Sequence, residues 1–566
     1  MQQLFRIRLV RAKSSHQHTR FRFSHTRLVL EEEGILTTLL KKIMKKTIYL
    51  YPFLLLLLSY LSSCSNTATV STAPAKASSW PRGVTYEIFV QSFCDSDGNG
   101  IGDIKGMTSK LDYLQDLGVE GIWLMPMNPS PSYHKYDVTD YYGIHPDYGT
   151  MEDFKEFIRQ AHSRNIKVVM DMVLNHSGVD HPWFQEAMKD KNSPYRDYYV
   201  WAHQNDPQTK EEGKIIAGDS DNVNRWHKVQ GSDYLYYGYF YGGMPDLNFD
   251  NAALKEEVFK IGRYWLKEVG VDGFRLDAAR HIFPDDRPED NHQWWVEFKK
   301  EMQKVKPDVY LVGEVWAPAD VVAPYTKGLP ALFNFEMSWA ILDALNSGKG
   351  NSLAIKHAGI MDFYKKENPE FIDATILSNH DQNRIMSEVN GDEKKAKMAA
   401  ALLFTLPGSP YIYYGEEIGM SGKKPDELIR EPFLWDVKEK DQCRATWITP
   451  TFSTEAVVAP ATVQAQQENS MLNHYKTFIR LRNNSNALTY GELKPVQLNN
   501  PEISAFERIH QHESLLVLHN LSGAEITLAL PVNLQDYRIA RFQHNGAALA
   551  RSKVLLPAYS SLILQR

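Results

Sequence analysis

The stretch Val271-Asp272-Gly273-Phe274-Arg275-Leu276-Asp277-Ala278-Ala279-Arg280-His281 decides the fold class. From Val271 to Asp277 it reads as a short strand. Successive side chains of a strand point to opposite faces, so Arg275 and Asp277 share one side and Phe274 and Leu276 the other. An apolar side suits a layer of covering helices. A charged side at the strand's carboxyl end suits the mouth of a closed parallel barrel, where reacting groups collect.

The surrounding sequence repeats this unit. Strands are read at Val84 to Phe93, Val119 to Met127, Ile166 to Leu174, Val271 to Asp277 and Val309 to Trp316. Helical spacing occupies Met107 to Leu117, Met151 to Arg164, Ala252 to Val269 and Trp294 to Val305. The alternation continues through Ala331 to Trp339, Ile355 to Lys366, Ile372 to Leu377, Lys394 to Leu406 and Pro410 to Tyr414, with a last helix at Met471 to Leu481. Strands alternating with helices imply parallel pairing and right-handed crossovers. The expected class is α/β, a (β/α)8 TIM barrel over 80–176 and 251–486. A doubly wound sheet is the rival, but no Gly-rich phosphate loop follows the first strand. The segment 177–250 is too long for a βα loop and dense in Tyr, Trp, Asp and Asn, so it is read as an inserted B domain after strand 3. After 487 the pattern becomes short strands and turns, at Ile503 to Arg508, Ser514 to His519, Glu525 to Leu530, Tyr537 to Phe542 and Ser560 to Leu564. That predicts a C-terminal all-β sandwich over 487–566.

Polar residues interrupt the apolar runs at four strand ends. The third ends Asp171-Met172-Val173-Leu174-Asn175-His176, the fifth Gly313-Glu314-Val315-Trp316 and the seventh Ser378-Asn379-His380-Asp381. The fourth carries Arg275 and Asp277. Singly, each is explained by an ion pair at the barrel rim. Three carboxylates, an arginine and two histidines converging on one mouth are costly to bury, and together they point to a catalytic site.

These segments resemble the signature regions of glycoside hydrolase family 13, the α-amylase family, and Met244-Pro245-Asp246-Leu247-Asn248 resembles a further signature. The resemblance runs from Trp80 to the C-terminus. It implies a retaining glycosidase acting on α-glucan or maltooligosaccharide. Asp277 matches the nucleophile, Glu314 the general acid/base and Asp381 the third carboxylate. Arg275 is expected to hold Asp277 ionised, and Glu314 must be protonated when the glycosidic oxygen leaves. A separation of about 5–5.5 Å between the Asp277 and Glu314 carboxyls is the retaining geometry. His176 and His380 match the pair that hydrogen-bonds the sugar beside the scissile bond. Tyr136 and Asp137, in Tyr133-His134-Lys135-Tyr136-Asp137, match the segment whose tyrosine stacks on that sugar, with Lys135 where the family commonly has glycine. Arg280-His281 matches a pair contacting sugars on the leaving side. Arg430 is either a partner for Asp137 or a surface arginine. The combination resembles the intermediary subfamily of bacterial secreted α-amylases. The closer alternatives are an oligo-1,6-glucosidase, a neopullulanase or a glucosyltransferase. A non-enzymatic glucan-binding or membrane partner subunit is disfavoured because all three carboxylates are present.

Asp95-Ser96-Asp97-Gly98-Asn99-Gly100-Ile101-Gly102-Asp103 places oxygen-bearing side chains at every second position, with glycines for tight curvature. That pattern wraps a hard cation, or else makes an Asx-rich turn without metal. The family has a similar loop binding Ca²⁺, which implies Asp95, Asp97, Asn99, the Ile101 carbonyl and Asp103 as ligands of a structural ion. Asn175 and the His281 carbonyl resemble ligands of a second calcium site whose partners in the insertion cannot be placed from sequence.

Hydrophobic content of 43% with 23% charged residues is ordinary globular composition, which disfavours wholesale disorder and a polytopic membrane protein. The 566 residues carry 63 Lys and Arg against 69 Asp and Glu, a formal charge of −6, which gives no support to nucleic-acid binding. Twelve Trp and 29 Tyr supply flat faces suited to sugar stacking or to an aromatic core. The three cysteines, Cys64, Cys94 and Cys443, cannot build a disulfide framework and form no CxxC pair. Met44-Lys45-Lys46 followed by an uncharged run to Ser63 reads as a signal peptide over 44–63, too short to span a bilayer. Leu61-Ser62-Ser63-Cys64 resembles a bacterial lipobox, with a plain signal peptide as the alternative. It implies lipidation at Cys64 and anchoring to a membrane, expected to be the outer membrane or periplasmic face of a Gram-negative cell. Residues 65–79 read as a flexible tether. Residues 1–43 are expected to be an extension from a mis-assigned start, with Met44 as the true start. A monomer is expected.

Overall fold

The computed structural model describes residues 78–210 and 224–566. The expectations for Cys64, the signal peptide and most of the tether lie outside the described residues. Eight parallel strands close into a barrel in the order β1 (Thr85–Ile88), β2 (Gly121–Leu124), β3 (Lys167–Met172), β7 (Gly273–Leu276), β8 (Tyr310–Gly313), β9 (Ala331–Phe333), β10 (Ile372–Thr375) and β11 (Ser409–Tyr413), with β11 pairing back to β1. Between β3 and β7 the chain forms a helix, Pro182–Lys189, and an antiparallel sheet of β4 (Trp201–His203), β5 (Trp226–Lys228) and β6 (Tyr234–Tyr237), with β6 in the middle.

The period of two sorts each barrel strand into two cores. Trp123, Val169, Tyr310, Val312, Phe333, Ala374 and Tyr411 fill the barrel interior as one buried cluster. The alternate residues, Tyr86, Ile122, Met170, Phe274, Leu276 and Leu311 among them, belong to the larger cluster under the helices. A strand buried on both faces reads as a continuous apolar run, and that is how these strands are legible in the sequence.

Several boundaries differ from the sequence reading. The first strand ends at Ile88, and Val90–Phe93 is a short helix. Every residue of the run is buried, polar Thr85, Glu87, Gln91 and Ser92 included, so burial does not mark the change. The segment from Ala331 to Trp339 is a strand and then a helix, Phe335–Ser347. Asn334 makes the break, its side chain accepting the Met337 N–H as an N-cap. The stretch from Met107 to Leu117 is two helices, Ile104–Ser109 and Leu111–Leu117, the first capped by Asp103.

The C-terminal region is two antiparallel sheets. One orders β12 (Glu492–Pro495), β13 (Ile503–His510), β14 (Glu513–Asn520), β19 (Ser561–Gln565) and β16 (Ile539–His544). The other orders β15 (Ile526–Ala529), β18 (Lys553–Leu556) and β17 (Ala548–Ala550). Leu516, Leu518, Leu562 and Leu564 of the first share a buried cluster with Ile526, Val554 and Leu556 of the second, which makes the pair a sandwich. Among the described residues no helix is long and apolar enough to cross a membrane.

Candidate active site

The inward rows of the barrel strands carry the site. Glu87 on β1 and Asp171 on β3 face inward, Arg275 on β7 leads to Asp277, and β8 leads to Glu314. Each continues the period-two row that fills the interior below. The charged groups therefore stack on an apolar floor at the carboxyl ends of the strands.

Arg275 is the hub, with a fully buried side chain. Its Nη1 donates to Asp277 Oδ1 at 2.6 Å and to both Asp171 oxygens at 3.0 Å. Its Nη2 lies 2.8 Å from Glu314 Oε1. One guanidinium thus touches Asp277 and Glu314 together and holds their carboxyls as neighbours. Trp316 Nε1 donates to Glu314 Oε1 at 2.9 Å, and the Ala278 N–H donates to Oε2 at 3.2 Å. Ala278 takes φ +45°, a strained value for a residue with a Cβ, and this turns its N–H toward Glu314. Burial pushes Asp277 up to about 8, Glu314 and Asp171 add to the rise, and Arg275 opposes it. Desolvation and the neighbouring carboxylates therefore outweigh the guanidinium that was expected to keep Asp277 ionised. Burial pushes Asp171 up as well, against the pull of Arg275.

The opposite wall is built around His380. Its Nδ1 lies 2.6 Å from Glu87 Oε1 and its Nε2 2.9 Å from Asp381 Oδ2 and 2.7 Å from the Tyr136 hydroxyl. Burial lowers His380, but Asp381 and Glu87 raise it to about 10. Burial alone would raise Asp381; His380 and then Arg430 instead hold it well below the usual carboxylate range. Arg430 neither pairs with Asp137 nor lies on the surface. It is buried, and its Nη2 donates to Asp381 Oδ1 at 2.9 Å and to Asp426 Oδ2 at 3.2 Å. Asp137 accepts instead from the Ser130 and Ser132 hydroxyls.

These walls enclose a cavity of about 770 Å³. Tyr136, His176, Asp277, Arg280, His281, Glu314 and Asp381 line it. Asp137, Arg275 and His380 lie behind the wall and reach the cavity through the groups they hold. His176 is buried, its Nδ1 2.9 Å from Asn175 Oδ1, and its Nε2 makes no hydrogen bond among the described residues. Burial lowers it to about 4, so it stays neutral and can face a sugar hydroxyl. The insertion contributes Phe240, Tyr241 and Met244, and the helix after β9 contributes Ser338, Trp339 and Leu342. Lys135, at the family's glycine position, adopts φ +66°. Its Nζ donates to the Ser132 carbonyl at 2.6 Å, which helps hold the strained turn.

Residues 87–491 match the family described as alpha amylase, catalytic domain, and residues 503–563 match the alpha-amylase SusG C-terminal domain. The chain belongs to the α-amylase family. It is 42% identical over 482 residues to alpha-amylase 3 of Dictyoglomus thermophilum, covering 85% of this chain and 93% of that one. It is 33% identical to a 4-alpha-glucanotransferase of Thermotoga neapolitana, covering 80% and 99%. The crystal structure of an alpha-amylase from H. orenii superposes with a TM-score of 0.78 at 42% identity, covering 86% and 99%.

An acidic loop stands beside this α-amylase-family barrel, after β1. Carboxylate oxygens of Asp95, Asp97 and Asp103 lie within 4.8 Å of one another. Hard oxygen donors gathered this closely fit a calcium-sized cation, and Asn99 and the Ile101 carbonyl lie on the same loop. Gly98 and Gly100, at φ +80° and +95°, supply the curvature. Asn175 donates from Nδ2 to the His281 carbonyl at 2.6 Å and to Asp246 Oδ2 at 3.4 Å, which ties the insertion to the strand end. Burial pushes Asp246 up to about 8. The sequence reading left two cysteines unpaired that form a disulfide, Cys94–Cys443, 349 residues apart. It also gave no role to Glu87, Asp171 or Trp316. The first two were findable as charges on inward rows of buried strands, and Trp316 by standing two residues beyond Glu314.

Proposed function

We propose that this enzyme hydrolyses α-1,4-glucosidic bonds of starch, glycogen or maltooligosaccharides with retention of configuration. The observation that carries the reading is the single Arg275 guanidinium touching both Asp277 and Glu314, with Asp381 on the same cavity. Two carboxyls bonded to one guanidinium support the close pairing that a retaining enzyme uses. Asp277 attacks the anomeric carbon while Glu314 gives its proton to the departing glycosidic oxygen. The covalent glycosyl-enzyme then takes a water, whose proton passes to Glu314 as the sugar leaves Asp277. Asp381, kept ionised by His380 and Arg430, accepts from sugar hydroxyls and strengthens those bonds as positive charge develops on the ring. The reaction requires Asp277 ionised and Glu314 protonated when the bond breaks.

The loop at Asp95, Asp97, Asn99, Ile101 and Asp103 is assigned to a structural Ca²⁺. It supplies no reacting group and fixes the segment that leaves β1. We place the chain outside the cytoplasm, tethered through a lipid on Cys64 and acting as a monomer. The Cys94–Cys443 bridge supports an oxidising compartment.

Digestion of soluble starch, pullulan and isomaltose by the full chain, with products resolved by size and Glu314→Gln as the blank, tests the reading. A Glu314-dependent ladder of maltooligosaccharides from starch is expected. Glucose with isomaltose cleaved would replace it with oligo-1,6-glucosidase action, and no Glu314-dependent product would overturn it. A transferase is the second reading, favoured by the glucanotransferase relative matched over 99% of its length. Products longer than the substrate from maltotriose would establish it.

A further inference from the structure

We propose that the Cys94–Cys443 disulfide clamps the acidic loop 95–103, so that the loop's affinity for a divalent cation depends on the thiol redox state of this pair. The inference rests on the calcium reading above and goes beyond it.

The bridge and the loop share their backbone. Asp95 directly follows Cys94, and its N–H donates to the Cys443 carbonyl at 2.9 Å. The Cys94 carbonyl accepts the Asp103 N–H at 3.0 Å, so both ends of the loop are pinned at Cys94. The middle of the loop rests on the strand-less segment after Cys443. The Thr446 N–H donates to the Gly100 carbonyl at 2.8 Å, and a Cβ on Gly100 would meet Thr446 Oγ1 at 2.8 Å. Between the helices that end at Ile429 and begin at Ala461 this supporting segment has no helix or strand of its own. The disulfide is its covalent hold on the loop.

The physical consequence follows from charge. Asp95, Asp97 and Asp103 repel one another, and a cation must offset that repulsion together with any ordering of the loop. A rigid frame removes the ordering cost, and cation affinity in such loops is tuned by rigidity as well as by ligand charge. Reduction by dithiothreitol runs by thiolate attack on one sulfur and release of the other as a thiol. The second dithiothreitol sulfur then resolves the mixed disulfide, leaving two cysteine thiols and one cyclic disulfide. That frees residues 443–446 from Cys94 and loosens both contacts on the loop. By linkage the coupling is reciprocal, so bound cation must favour the oxidised pair by the same factor.

The test uses the full chain carrying Cys64→Ser, stripped with EDTA and titrated calorimetrically with CaCl₂ in oxidised and reduced forms. Reduction is expected to weaken the calcium Kd at least tenfold. In a buffer of reduced and oxidised dithiothreitol, added Ca²⁺ should lower the reduced fraction by the matching factor, and Asp97→Asn should abolish that effect. Should the reduced chain lose its far-UV circular dichroism, Thr446→Pro keeps the bridge while removing the N–H that holds the Gly100 carbonyl, and it too should weaken the Kd. Equal Kd values in folded oxidised and reduced protein overturn the clamp alone, as does an unchanged Kd in Thr446→Pro. A calcium effect that persists in Asp97→Asn also overturns it. Absence of calcium binding in the oxidised protein overturns the calcium reading and the clamp together, and leaves the glycosidase reading to its product ladder.

Discussion

At the scale of single residues the site is a problem of too many negative charges around one cation. Asp171, Asp277 and Glu314 all approach Arg275, and burial pushes Asp277 up to about 8 with Glu314 and Asp171 adding to the rise. Asp171→Asn keeps the shape and removes one charge. The raised value of Asp277 should then fall. The acidic limb of the kcat/KM profile, where the nucleophile must be ionised, is expected to move down by about one pH unit; an unmoved limb with reduced kcat would mean Asp171 serves only to pack Arg275. Trp316 poses the complementary question. Its indole N–H holds Glu314 Oε1, and Phe keeps the stacking on the Phe335 ring, now 3.8 Å away, while removing the donor. Trp316→Phe should lower kcat roughly tenfold with little change in KM, as expected for one hydrogen bond to a charged group of about 1.5 kcal/mol. Steady-state kinetics on a defined maltooligosaccharide separates the two parameters, and a change confined to KM would assign Trp316 to binding instead.

At the scale of elements, the packing of the helix Met471–Asn483 against the C-terminal sandwich buries histidines in their neutral form. His474 donates from Nε2 to the Lys397 carbonyl and lies 4.9 Å from the His544 ring, and His519 sits between Thr405 and Ser561. Burial lowers His474 and His519 to about 3 each. Between their unfolded value near 6.5 and about 3, the unfolded chain binds protons that the folded chain does not. Stability is therefore fully present above pH 6.5 and lost as pH falls. From pH 8 to pH 5 each should cost about 2 kcal/mol. Urea midpoints at the two pH values measure this, and His474→Gln should reduce the difference; an identical pH dependence in the variant would exclude His474 as its source. The element scale also explains what sequence could and could not reveal. Arg275 with Asp277 was legible because strand periodicity fixes the facing of residues two apart. Helix–strand breaks at Phe89 and Asn334 were hidden because the residues on both sides of each break are mostly buried, polar ones included, so no change of pattern marks the strand end. The Arg430–Asp381 contact joins residues 49 apart and the disulfide joins residues 349 apart. Neither distance carries a local signal, since only the closed barrel brings those loops together.

At the scale of the whole molecule, barrel and sandwich share backbone hydrogen bonds. The helix Glu393–Thr405 ends with carbonyls that no further helical turn can satisfy. Arg508, on β13, donates to the Thr405 carbonyl at 2.5 Å and to the Leu488 and Gly491 carbonyls at 2.8 and 3.0 Å. Arg482 donates to the carbonyls of Phe404 and Leu406 at 3.0 and 2.9 Å, and to that of Gly408. Both guanidiniums are buried, and burial lowers their affinity for the proton. They are retained as charged donors because six carbonyls would otherwise be left dry, each an unmet acceptor worth roughly 1–3 kcal/mol. Removing the sandwich takes Arg508 away and exposes β13's contact with the barrel, so a chain stopped after Gly491 should unfold at a temperature at least ten degrees lower or fail to stay soluble. Arg508→Met fills the same volume but donates nothing, and should destabilise the full chain by about 2–5 kcal/mol without altering KM. Calorimetry decides the matter through the number of transitions as well as their positions. One cooperative transition in the full chain, shifted down as a unit in Arg508→Met, means that the sandwich is a structural part of the catalytic barrel. Two transitions, with only the smaller one moved, would mean that the barrel stands alone and that the arginine serves the sandwich only.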